Sequence, residues 1–122
     1  MRSRAIGASW VVVDALRVLL VTGGHPFEQG PFFEIFDANT KITWQHLPHP
    51  EAQDIFGPEA LTGFDAVVLY DMPGIEFTRS DPPARFTDPE PSYVNGFEAV
   101  LESGIGLVFL HHAIAGWPTW SR

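Results

Sequence analysis

Three apolar runs in this chain each end on groups that can hold or move a proton. Leu16 to Val21 leads into Thr22-Gly23-Gly24-His25, Asp65 to Tyr70 into Asp71, and Ile105 to Leu110 into His111-His112. An imidazole titrates near neutrality and serves as general acid, general base or metal ligand. His25, Asp71 and His111 are therefore the candidate catalytic residues. Gly23, Gly24, His112 and Trp117 are the candidate substrate-binding residues. Two glycines after a strand can turn sharply and offer N–H groups to an oxygen, His112 flanks His111, and an indole face, like those of Phe27, Phe32 and Trp120, can stack on a sugar ring.

The segment Phe109 to Ala113 stands where a nucleophile elbow would present its reactive side chain. Histidine occupies that place and the chain has no cysteine, so acyl transfer through a thiolate is excluded and acid/base work by His111 fits the residue type. His25, Asp71 and His111 with His112 or Glu28 have donors suited to zinc, iron or manganese. No H-x-x-x-H or H-E-x-x-H spacing supports that set, and no cofactor is expected. Asp71 with Glu28 or Glu76 would supply a glycosidase-like carboxylate pair, but the spacing singles out neither. The glycines match neither the dinucleotide nor the P-loop pattern. His46 and His49, flanking Leu47-Pro48, are expected on the surface.

For the three tips to meet, the runs that carry them must lie side by side. Each run is continuously apolar, as expected of a strand buried on both faces. Lys41 to Leu47 reads as a shorter edge strand. Helices are expected over Pro31 to Ala38, Pro58 to Leu61 and Ser92 to Ser103, the last with Val94, Phe97, Val100 and Leu101 at helical spacing. Alternation of strands and helices implies an α/β three-layer fold with a parallel, flavodoxin-like sheet in the order 2-1-3-4. Ligands then bind beyond the carboxyl ends of the strands, where the strand order reverses. Pro73 to Pro91 is expected to be a long loop, either a flap over the site or a solvated connector.

A chain of 122 residues allows one domain. Residues 1–14 are expected to be a leader of uncertain order, and 15–122 the domain. Asp14 and Arg17 break the N-terminal apolar stretch too early for a membrane span, so a cytoplasmic protein is expected. A net charge of −8 disfavours nucleic acid and anionic membrane as partners. Only ten residues follow His112, where another crossover would normally cover the sheet. The chain is accordingly expected to be the front part of a longer domain, with a homo-oligomer as one way to complete the core.

Val18 to His25, Phe64 to Asp71 and Gly106 to Ala113, the last ending in Leu-His-His-Ala, together resemble the ThuA-like (trehalose utilisation) family over about residues 16 to 120. The resemblance implies a class I glutamine amidotransferase-like fold, with His111 at the position where amidotransferases carry their cysteine. It also implies a role in carbohydrate metabolism, with trehalose, related disaccharides or their keto forms as the small-molecule partner. Two functions follow as expectations. One is a sugar-processing enzyme using His25, Asp71 and His111. The other is a non-catalytic binding or assembly module on the same scaffold.

Overall fold

The computed structural model describes residues 3–6, 9–12 and 15–121. The expected leader falls outside the described residues except for two short strands, β1 (Ser3–Ile6) and β2 (Ser9–Val12), which pair antiparallel. The main sheet contains β3 (Leu16–Gly23), β4 (Ile42–Pro48), β5 (Ala66–Asp71) and β8 (Gly106–Phe109), all parallel, in the order β4-β3-β5-β8. This is the expected order, and it is consistent with a flavodoxin-like layout. The direction of strand addition reverses between β3 and β5.

Side chains alternate faces along a strand, and the two cores follow that period. Val18, Leu20 and Val68 pack under α1 (Gln29–Asp37) through Phe32, Phe33 and Phe36. Leu19, Val21, Val67 and Leu69 pack on the opposite face, against Ala52 of α2 (Glu51–Ile55) and Tyr93 and Val100 of α3 (Pro91–Ser103). Both faces of the central strands are covered, which is why Val18 to Val21 of β3 and Ala66 to Leu69 of β5 are apolar without interruption. Pro91 sits in the first turn of α3, where a missing N–H costs nothing, and Gly104 ends the helix in the left-handed conformation.

Two expectations are corrected. Pro58 to Leu61 is not a helix: Leu61 N–H bonds to Gly57 O, but the pattern passes at once into turns, with Thr62 bonded to Glu59 and Phe64 to Leu61. The helix in this connection is α2, whose five residues are too few to show a periodic signal. Pro73 to Pro91 is not a structureless loop either. It contains a hairpin of β6 (Ile75–Phe77) and β7 (Ala84–Phe86). Ile-Glu-Phe and Ala-Arg-Phe do alternate, but over three residues among prolines that period is inconspicuous. The turn is tied by Thr78, whose hydroxyl donates to Pro82 O at 2.6 Å.

Helix α3 approaches the loop after α2 so closely that a Cβ on Gly96 would lie 2.0 Å from Phe56 O. Gly96→Ala is expected to destabilise the fold by about 1–3 kcal/mol, the usual cost of forcing an extra carbon into packed structure. Urea denaturation of both proteins would check it.

Candidate functional site

The ends of β3 and β5 lie level, with Gly23 opposite Asp71. Both glycines there have positive φ (131° and 83°). A Cβ on Gly24 would sit 2.1 Å from Met72 O, and one on Gly23 would sit 2.8 Å from the His49 Cβ. The Gly-Gly pair therefore lets β5 and the segment after β4 close on the strand end. Gly24 also lines a cavity described below, whereas Gly23 lines neither of the two.

His49 is a correction to its expected surface position. Pro48 pairs with Thr22 and His49 N–H donates to Thr22 O at 2.7 Å, which carries β4 one step further and turns the imidazole inward. The His49 Nε2 lies 2.7 Å from Asp71 Oδ2, and the two side chains are only 6% and 5% exposed. Gln53 of α2 approaches from the other side, its Nε2 3.2 Å from His49 Nδ1. His46 is also not free on the surface: it is half-buried, and its Nε2 lies 2.7 Å from Thr22 Oγ1.

Asp71 faces a cavity of about 390 Å³ walled by Tyr93, Phe97, Phe109, Trp117 and Trp120. The Tyr93 hydroxyl is held above its ordinary pKa by burial first and by the Asp71 carboxylate second, so it stays a proton donor. The Trp117 indole partly offsets this. Its own N–H is buried without a well-formed hydrogen bond among the described residues. A second cavity of about 410 Å³ adjoins, lined by His49, Gln53, Asp88, Glu90, Gly24 and Trp117 among others. The hairpin segment thus borders the site through Gly74, Ile75, Thr87 and Asp88. Thr119 donates a hydrogen bond to Asp88 and Trp117 N–H one to Pro73 O, fastening the C-terminal residues to that segment.

The expected trio divides into two groups. His25 meets His112 edge-on, with ring centres 4.8 Å apart, and His112 meets His111 at 3.8 Å. His25 also packs against Tyr70, the residue before Asp71. Asp71 has His49 as its hydrogen-bond partner instead. Tyr70 stacks on Phe32 on the α1 face, so by alternation Asp71 belongs to the α2/α3 face. None of the three clustered histidines lines either cavity. The sharp turn expected at 109–113 is present: β8 ends at Phe109, and His111 takes φ 52°, left-handed backbone that few non-glycine residues adopt. His25 donates Nδ1–H to Pro26 O at 3.2 Å, leaving a buried Nε2 without a partner. His112 titrates below the ordinary histidine value, through desolvation first and the neighbouring His111 and His25 second.

Among the described residues no three of His, Cys, Asp or Glu are grouped so as to hold a metal ion, so the donor set considered for zinc, iron or manganese is not assembled. Glu28 and Glu76 are exposed. No helix among the described residues is long and apolar enough to cross a membrane. His49, Gln53 and Tyr93 were not legible as site residues. Flanked by prolines, His49 reads as loop, and only the register of β4 on β3 places it level with Asp71.

Two outcomes follow. His49→Phe strands the buried Asp71 carboxylate and is expected to destabilise the protein by about 1–3 kcal/mol, measurable by urea denaturation. His46 is lowered from 6.5 by desolvation, and His112 shifts the same way. The unfolded chain then binds more protons below about pH 6.5, so stability is full above that pH and falls as the solution is acidified through it. His46→Gln is expected to flatten that fall, compared by denaturation at neutral and mildly acidic pH.

Comparison of the chain with protein-family models, with curated proteins and with solved structures gives no match.

Proposed function

We propose that this chain is a cytoplasmic, ThuA-like protein of carbohydrate metabolism on a class I glutamine amidotransferase-like scaffold without its cysteine. Its ligand is trehalose, a related disaccharide or a keto form of one, held over Asp71. The observation that carries the reading is the buried Asp71 carboxylate, paired with His49, at the base of a cavity walled by Tyr93, Trp117 and Trp120. Aromatic faces bury the C–H faces of a sugar ring while a carboxylate accepts from its hydroxyls. Asp71 and Phe109, the last residues of β5 and β8, line this cavity, which supports the reading because folds of this layout bind small molecules at strand ends.

In this reading Asp71 is the acid/base centre and His49 holds its charge and orientation. Tyr93, kept protonated by burial and by Asp71, donates a hydrogen bond to the ligand. His111, grouped with His25 and His112 on the Tyr70 side of β5 and lining neither cavity, is not placed to reach a ligand over Asp71.

Calorimetry and tryptophan fluorescence with trehalose and a keto-disaccharide test the proposal, since Trp117 and Trp120 line the cavity. Saturable binding that changes the fluorescence is expected, weakened about tenfold or more by Asp71→Asn, the loss of a charged hydrogen-bond acceptor. No binding by the wild type, or equal binding by Asp71→Asn, would sink the reading. Turnover assays with His111→Ala check that separation: unchanged turnover is expected, and its loss would return His111 to the mechanism. Binding without turnover assigns the protein to the non-catalytic alternative.

A further inference from the structure

The two cavities are not equivalent with respect to the buried pair. Asp71 lines the aromatic cavity and not the polar one, whereas His49 and Gln53 line the polar cavity and not the aromatic one. The 2.7 Å hydrogen bond between Asp71 and His49 is therefore a bridge through the wall that separates them. A ligand seated over Asp71 would close that carboxylate off from water, and the remaining polar contact leads through the imidazole. Resting on Asp71 as the acid/base centre proposed above, we infer that His49 and Gln53 form a proton relay, through which the polar cavity supplies protons to Asp71 and removes them.

The tautomer follows from the partners. Nε2 faces a carboxylate, so it carries the proton and donates it to Asp71, and Nδ1 accepts from the Gln53 amide. A proton arriving at Nδ1 from the polar cavity makes the imidazolium. The Nε2 proton then passes to Asp71 Oδ2, one N–H bond breaking and one O–H bond forming, and the ring is left neutral with its proton on Nδ1. The reverse sequence removes a proton from Asp71. Gln53 suits this exchange because its amide presents N–H to a bare Nδ1 and, turned over, C=O to a protonated one. Asp88 and Glu90 on the cavity wall concentrate protons there. Tyr93 and Trp117, whose ring centres lie 6.2 and 6.4 Å from that of His49, pack it against the aromatic side.

Nuclear magnetic resonance of the full chain with ¹⁵N-labelled histidine reads the relay without any ligand. At neutral pH His49 is expected to show a protonated Nε2 and a bare Nδ1. Gln53→Glu, which can only accept, is expected to add a proton at Nδ1, read as the loss of the bare-nitrogen ¹⁵N signal. Thr87→Trp, filling the polar cavity, is expected to slow solvent exchange of the ring proton about tenfold, and Ile114→Trp, covering the aromatic cavity, to change it less than about twofold. A proton on Nδ1 in the wild type, a bare Nδ1 retained in Gln53→Glu, or any other order of exchange rates overturns the relay. Loss of sugar binding would overturn the carbohydrate reading and leave these ring signals as they are.

Discussion

Alternation along a single strand governs the arrangement of this protein. Tyr70 and Asp71 are consecutive in β5, so the pleat sends one to the α1 face and the other to the α2/α3 face. Whatever gathers around each is then a separate group. The Tyr70 side collects Phe27, Phe32, His25 and the His111-His112 pair. The Asp71 side collects His49, Tyr93 and the aromatic cavity. Moving β5 by one residue would exchange the two faces and bury a tyrosine where a carboxylate now meets an imidazole.

Burying Asp71 makes demands that several other elements meet. A carboxylate withdrawn from water needs a hydrogen-bonding partner of comparable strength. His49 reaches it only because Gly23 has no side chain in the way and because β4 extends to Pro48 beside Thr22. Gly24 in turn lets Met72 approach, and Gly74 lets Trp117 lie across the segment that begins the hairpin. At each of these positions a Cβ would clash with the neighbouring segment, so the close packing of the rim depends on glycine there.

The hairpin of β6 and β7 is attached to this rim rather than to the main sheet. Thr87 N–H bonds to Gly74 O, Trp117 N–H to Pro73 O, and Asp88 accepts from Thr119. Through those bonds a segment rich in proline and charge becomes a wall of the polar cavity, while Phe77 and Phe86 at its strands remain exposed.

By itself the sequence determined the class of fold, because strands buried on both faces must be apolar without a break and helices between them must cross over in one hand. Leu16 to Val21 and Asp65 to Tyr70 were legible for that reason, as were the polar tips at their ends, whereas Ile105 to Leu110, expected to be buried on both faces, forms the edge strand β8 with Val108 and Phe109 44% and 45% exposed. It also determined that these 122 residues supply no thiol. Only the tertiary structure decided which tips meet. His49 sits between prolines with no periodic signal, and its partnership with Asp71, 22 positions away, exists because β3 is paired on one side with β4 and on the other with β5. His25, His111 and Asp71 looked like one site in the linear order, and the pleat of β5 divided them. Local spacing records which residues share a face of one element. Which elements lie side by side, and in what register, depends on hydrogen bonds and packing between segments far apart in the chain, and no run of neighbouring residues encodes that.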